Sequence, residues 1–458
     1  MQMTASRVVR IAVACVFLLS FELNAGRVCA QRVPPAVELP QQLSLDQALQ
    51  ILRTQGLDLL IAEAAVHSAE GDVGIAGAVP NPALTLGYGR VLPGSYNPNN
   101  TQSCFDNNGN SLGCSADSYT AGISDQAAIE DTLSGKRGLR LKVARAALAA
   151  AKMSRTDALR SLEFQAKSAY VSMVQAQRAF AFAKDVQATN QKTLELFQTR
   201  LRSGAINEGD LARIETQKLE ADQAVDQADQ TVRQARVALA FLLGVRGPVP
   251  DFGVDNKALD YAVRADLASP ESDRLLRIAF DHRPDLIALG YQRASAEAAI
   301  ALAKRQRFPD ITLSAQYAQT GTGQAAVQPP TLSFSLSAPI PVFYQQQGEI
   351  RKAEANYDTQ SLQQAKTTAQ VVNDVETAFA AYETTRGMVE RMEKSLKPSA
   401  ERAFQITRLQ YDKGAATLMD LLDAQRTYIA TNVEYLQDLT NYWTAVYQLE
   451  QAVGTELR

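Results

Sequence analysis

The chain has 458 residues, 46 Lys+Arg against 49 Asp+Glu for a net charge of −3, with 46% hydrophobic, 7% aromatic and 21% charged residues. The balanced charge offers no basic field to a nucleic-acid backbone, and a mean hydropathy just below zero cannot supply several membrane-spanning helices. What stands out is the small-residue load, 72 Ala beside 25 Gly and 17 Pro, which favours long, closely packed helices.

Taken in order, the first segment reads as an export signal. Arg7 and Arg10 precede the apolar run Ile11 to Phe21, and Val28 and Ala30 offer small residues for cleavage after residue 30. A transmembrane anchor needs about 20 apolar residues, and Glu22, Asn24 and Arg27 end the run too early. Neither Cys15 nor Cys29 sits in a good lipobox, which argues against a lipoprotein. Cleavage removes three Arg and one Glu and takes the net charge from −3 to −5. It also leaves only Cys104 and Cys114, which flank an Asn/Gly/Ser-rich turn. In an oxidising envelope their simplest fate is one disulfide that pins a loop. A metal site is the competing reading, and the two histidines, His67 and His282, are remote in sequence.

Helix breakers then set the organisation. Residues 139–203 contain neither Gly nor Pro, and 210–243 and 415–453 are equally clean. Such runs predict helices, and at 1.5 Å per residue the first spans roughly 100 Å, so the molecule is elongated. Leu418, Leu421, Gln425, Tyr428, Asn432, Tyr435, Leu439, Tyr442, Val446, Leu449 and Val453 follow 3,4 spacing, a coiled-coil seam. Leu422, Ile429, Leu436 and Trp443 widen it, which suits a bundle or a ring of helices.

The chain is internally duplicated. Asp58-Leu59 and Glu70 match Asp285-Leu286 and Glu297 at an offset of 227, as Leu84-Thr85-Leu86 matches Ile311-Thr312-Leu313; Gly204, Asp210-Leu211 and Gly244 match Gly414, Asp420-Leu421 and Gly454 at an offset of 210. The 17 surplus residues fall naturally in the loop 91–118. Between the helices, Ala83 to Val91, Tyr119 to Ile123, Ile311 to Ala318 and Thr331 to Ser337 have strand character, with prolines at the switches. Two hairpins make four strands, too few to close a barrel, and closure by several chains would remove the open edges.

With these motifs the chain resembles the TolC-type outer-membrane efflux proteins over about residues 44–454. The likeness rests on the paired tips, Arg202-Ser203-Gly204 through Asp210-Leu211 and Tyr411-Asp412-Lys413-Gly414 through Asp420-Leu421-Leu422-Asp423-Ala424-Gln425, and on the strand entries Asn81-Pro82-Ala83-Leu84 and Phe308-Pro309-Asp310-Ile311. Pro339-Ile340-Pro341-Val342-Phe343 followed by Gln347-Gly348-Glu349-Ile350-Arg351 is similar to the cobalt-zinc-cadmium branch. In the first half, Gln126-Ala127-Ala128-Ile129 then Ser134-Gly135-Lys136-Arg137 departs from that spacing.

The resemblance implies a mainly α fold with a small β part. A homotrimer would build a twelve-stranded outer-membrane barrel, four strands from each protomer, above a helical periplasmic tunnel. The units expected are a signal at 1–30, a linker at 31–43, a first repeat at 44–247 with its hairpin at 83–123, and an equatorial linker at 248–270. A second repeat follows at 271–454 with its hairpin at 311–337, and a tail at 455–458. Carried over residue by residue, the periplasmic gate falls on Asp210, Tyr411, Asp420 and Asp423. Threefold symmetry would turn each aspartate into a ring of carboxylates that attracts cations and raises some pKa values. The alternative is that Asp210 and Asp420 are first-turn acids complementing a helix dipole. The family's second tip has an arginine where this chain has Ala416, so any salt-bridge lock must differ. The tips at Gly204, Ala205, Gly414 and Ala415 would dock a periplasmic adaptor.

The function implied is an exit duct serving an inner-membrane pump, without catalysis, cofactor, resident metal or nucleic acid. It would sit in the outer membrane among its lipids, with most of the chain in the periplasm. The alternatives are a periplasmic structural or adaptor coiled coil, or the outer-membrane part of a type I secretion system.

Overall fold

The computed structural model describes residues 37–90, 104–105, 111–112, 117–267, 271–320 and 330–457. The export signal and Cys114, and with it the disulfide, lie outside these residues. Strand β1 (Gln42–Leu43) leads into helix α1 (Leu45–Gln55), which starts on a capping box: the Ser44 hydroxyl accepts the Gln47 N–H at 3.2 Å and the Gln47 side chain accepts the Ser44 N–H at 3.0 Å. Helix α2 (Leu57–Gly77) rises to strand β2 (Ala83–Arg90). The short pair β3 (Cys104–Phe105) and β4 (Ser111–Leu112) precedes β5 (Asp117–Ser124). A one-and-a-half-turn helix α3 (Ala128–Leu133) and a left-handed Gly135 lead into α4 (Lys136–Arg202), whose 67 residues span roughly 100 Å. Helix α5 (Glu208–Leu242) returns, and β6 (Gly253–Val254) pairs in parallel with β1 before two 3₁₀ turns at 256–259 and 265–267.

The second half repeats this order: α6 (Ser272–His282), α7 (Pro284–Arg305), β7 (Thr312–Thr320), β8 (Thr331–Ser337), α8 (Gln347–Arg391), α9 (Lys397–Asp412) and α10 (Leu418–Val453). Its boundaries keep the sequence offsets, α6 lying 227 residues after α1 and α10 starting 210 after α5. Residues 91–116 separate the strands of the first hairpin and 321–330 those of the second, so most of the surplus residues sit there. One departure from symmetry is a π-helical turn, Met392–Leu396, between α8 and α9, followed by Pro398. Its counterpart inside α4 is regular helix.

The helices form a wall rather than a ball. Above the middle, α4 packs between α2 and α7, and α7 passes the contact on to α8; below it, α4 packs between α5 and α10, and α10 joins α8 and α9. The widened apolar face of α10 therefore touches several neighbours, as its double seam predicts. At the middle, four aromatic side chains tie the linkers to the wall. The buried Tyr170 hydroxyl donates to Leu43 O at 2.8 Å and accepts the Asp255 N–H at 3.1 Å, clamping the β1–β6 pair. Tyr382 donates to Leu267 O (2.9 Å), Tyr442 to Ala262 O (2.8 Å) and the Trp443 indole to Asp260 O (3.2 Å). Beside them, Glu450 and Lys167, both buried, pair at 2.9 Å, and Arg264 completes the cluster. A buried charge needs such partners.

Candidate functional site

Two ends of the wall carry chemistry, the helix tips and the sheet. The first tip is closed by a left-handed Gly204 (φ +74°), with Ala205 N–H reaching Arg200 O and Gly204 N–H reaching Leu201 O, a Schellman closure. The second repeats it at Gly414 (φ +76°), where Ala415 N–H reaches Gln410 O. Gly204, Ala205, Gly414 and Ala415 are all exposed. Each returning helix then starts on a cap. Asn207 accepts the Asp210 N–H at 2.8 Å, and the Asp210 carboxylate faces Arg213 at 3.5 Å.

At the second tip, the Asp420 carboxylate accepts from the Thr417 hydroxyl at 2.7 Å and the Thr417 N–H at 2.9 Å, while Thr417 Oγ1 accepts the Asp420 N–H at 3.2 Å. These bonds, the Thr417 hydroxyl first, hold the Asp420 carboxyl below its ordinary pKa. Within one chain Asp420 is thus a capping acid. Asp423, one turn on, is exposed and forms no ion pair among the described residues. Its carboxylate, unlike that of Asp420, caps nothing among the described residues.

Tyr411 does not stand alone. Its ring stacks on Phe197 with centroids 6.2 Å apart, and the Arg200 guanidinium lies 5.8 Å from both ring centres and donates to the Tyr411 hydroxyl at 3.5 Å. Phe197, Ile214 and Leu418 are buried beneath, joining the two tips through a small apolar core. Higher up, the Gln425 amide donates to the buried Asn190 side chain at 2.7 Å. Arg200, Phe197 and Asn190 escaped the sequence reading. Arg200 looks there like any basic residue in a last helical turn. His67 and His282 lie exposed, the second at a helix end.

At the other end β2, β5, β7 and β8 form one antiparallel sheet in that order. The register sorts its faces. Leu84 opposes Ile123, which opposes Ala315 and then Phe334; Leu313 opposes Leu336, and Tyr317 opposes Leu332. The alternate positions are Thr85, Gly122, Ser124, Ser314, Gln316, Ser333 and Ser335. One face is therefore apolar, with Leu332, Phe334 and Leu336 exposed along it, and the other is polar. A sheet buried against its own helices would hide the apolar face. Alternation with that face outward is the pattern of a membrane barrel wall. Among the described residues no helix is long and apolar enough to cross a membrane.

The sequence model of the outer membrane efflux protein family matches residues 48–245 and 275–455, both halves of the duplication. The chain belongs to this family. The cobalt-zinc-cadmium resistance protein CzcC of Cupriavidus metallidurans is 21% identical over 414 residues, covering 90% of each chain. The pyoverdine export outer membrane protein OpmQ of Pseudomonas aeruginosa is 26% identical over 84% of this chain and 80% of its own. Among solved structures, the outer membrane protein VceC of Vibrio cholerae superposes with a TM-score of 0.69 at 20% identity, covering 90% of this chain and 97% of its own. The outer membrane efflux fold thus accounts for the helical wall and the sheet together, and relatives similar to this chain include one of the metal-resistance branch.

Proposed function

We propose that three copies of this chain form the outer-membrane exit duct of a tripartite efflux system. The observation that carries the reading is the four-stranded sheet with one apolar face and two open edges, held roughly 100 Å of helix away from a pair of left-handed glycine tips. Three such sheets make twelve antiparallel strands, a barrel with its apolar face to lipid, and the helical walls continue it into the periplasm. At the lower end, three copies of Asp210, Tyr411, Asp420 and Asp423 surround the pathway. A ring of carboxylates there favours cations, with Asp423 the strongest contributor because its charge is not spent on a cap. The exposed tips at Gly204, Ala205, Gly414 and Ala415 receive a periplasmic adaptor, and an inner-membrane pump supplies the energy.

The relatives are named for different cargoes, cobalt-zinc-cadmium resistance for one and pyoverdine export for the other. The cargo here is small, heavy-metal cations or drugs, with the choice made by the partner pump. The test is direct. Outer-membrane fractions should yield heat-modifiable trimers that conduct ions in planar bilayers, and a deletion strain should become sensitive to metals or drugs. A soluble, non-conducting protein would sink the proposal.

A further inference from the structure

Below the sheet lies a feature that neither the barrel wall nor the tips use. Strand β8 ends at Ser337, and before α8 begins at Gln347 the chain exposes Ile340 (82%), Val342 (67%) and Phe343 (99%). This strap is not slack. Gly348 N–H donates to the Tyr344 hydroxyl at 3.1 Å, Tyr344 in turn bonds Glu349, and Gln345 N–H donates to the Gln347 side chain at 3.0 Å. The duplicated position, between β5 and α4, holds Ile129 and Leu133 (82% exposed) on α3, and Phe308 (57%) stands before β7. Both repeats therefore place apolar side chains in water just where the apolar face of the sheet ends. Beneath them lie Arg305, Arg307, Arg351 and Lys352, all exposed, none in an ion pair among the described residues, with Arg305 over the Phe308 ring at 5.7 Å. Apolar sheet, apolar and aromatic collar, then unpaired cations is the sequence of environments met on leaving a bilayer: acyl chains, interface, phosphates.

We infer that this collar is a lipid-binding surface, seated in the periplasmic leaflet with its cations on anionic phospholipid headgroups. The inference rests on the outer-membrane reading above and adds a partner and a binding surface to it. Its occupant is lipid because the collar is continuous with the lipid-facing side of the sheet and carries complementary charge.

The native chain has one tryptophan, Trp443, at the middle of the wall, so quenching by lipid bromines beyond the wild-type background belongs to an added one. Phe343→Trp and, as a control at mid-sheet, Phe334→Trp are reconstituted in vesicles of phosphatidylcholine and phosphatidylglycerol brominated along the acyl chain. Both should be quenched, Phe343→Trp most by bromines nearest the headgroup and Phe334→Trp, at the midpoint of β8, by deeper ones. If Phe334→Trp is quenched and Phe343→Trp is not, the collar is buried against a neighbouring copy or left in water, and the inference is overturned while the channel reading stands. If neither is quenched, the barrel reading itself fails. The charge layer has its own test. Replacing Arg305, Arg307, Arg351 and Lys352 by Gln should cut the preference for spin-labelled phosphatidylglycerol over phosphatidylcholine at least twofold, a modest share of what about 1 kcal/mol per surface cation allows. An unchanged preference removes the cations from the collar.

Discussion

The two acids of the second tip differ in what their charges are already doing. Asp420 is bonded by Thr417 and Asp423 is not, so the two neutral variants should separate. Asp423→Asn should lower cation preference in bilayer conductance with no change in stability. Asp420→Asn should instead loosen the start of α10, read as faster amide exchange at residues 418–421, and Thr417→Ala should do the same at a cost of about 1 kcal/mol. Equal selectivity in wild type and Asp423→Asn would leave the tip acids a purely helical role. Asp423 was marked only by the family resemblance, but the position of Asp420 after a glycine turn was legible in the sequence, because first-turn acids follow caps. What each carboxylate touches was not, since a hydroxyl three residues back serves equally as cap or as bystander.

Acid sensitivity belongs to another residue. Glu390 accepts from Arg386 at 3.0 Å, Lys394 at 3.1 Å and the Tyr261 hydroxyl at 3.1 Å, and these partners, Arg386 first, draw its pKa from 4.5 down to about 2. A carboxyl whose folded pKa is depressed adds stability above its unfolded pKa and loses it as pH falls through the folded one. The contacts of the 256–267 linker with α8 should therefore hold from neutral pH to about 4.5 and weaken progressively toward pH 2. Limited proteolysis of that linker along a pH series measures this. In Glu390→Gln the acid-dependent step should shrink.

At the scale of elements, long helices and their tips could be read from absent glycines and prolines, and four strands from alternation between prolines, because both signals are local and repeated. The β1–β6 pair could not. Two residues have no period, and their partners lie more than two hundred positions away. Nor does a sequence mark which helical tyrosine will reach a distant carbonyl. Tyr170→Phe tests that clamp: it removes the hydroxyl's bonds to Leu43 O and from the Asp255 N–H, which keep only their 3.3 Å bond to each other, a cost of about 0.5–1.5 kcal/mol, and should speed amide exchange at residues 253–255. The glycines ending the return helices were visible as a pair, and the structure gives their reason. Gly244 has φ +83°, and a Cβ there would meet Gln55 O at 2.6 Å. Gly244→Ala should destabilise the junction of α5 with α1 more than Gly204→Ala, also left-handed but open, disturbs the tip.

For the whole molecule the decisive property is what one chain leaves unfinished. Strands β2 and β8 are the outer members of the sheet, and in an all-antiparallel sheet of four they run in opposite directions. A second copy can therefore set its β2 beside this β8 without breaking the antiparallel alternation, and three copies return to the start. Closure also has to respect the faces. Thr85 on β2 and Ser333, Ser335 and Ser337 on β8 share the polar face, whereas Phe334 and Leu336 are on the apolar one. Side chains on one face of neighbouring strands lie within disulfide reach, and those on opposite faces point apart. Thr85→Cys combined with one of Ser333→Cys, Ser335→Cys or Ser337→Cys should give oxidised dimers and trimers on non-reducing gels, while pairing it with Phe334→Cys or Leu336→Cys should not. The native cysteines do not confound the experiment, because each single variant supplies the background. Cross-linking at both parities would mean random collision, and none at either would mean that the edges meet something other than another copy of this chain.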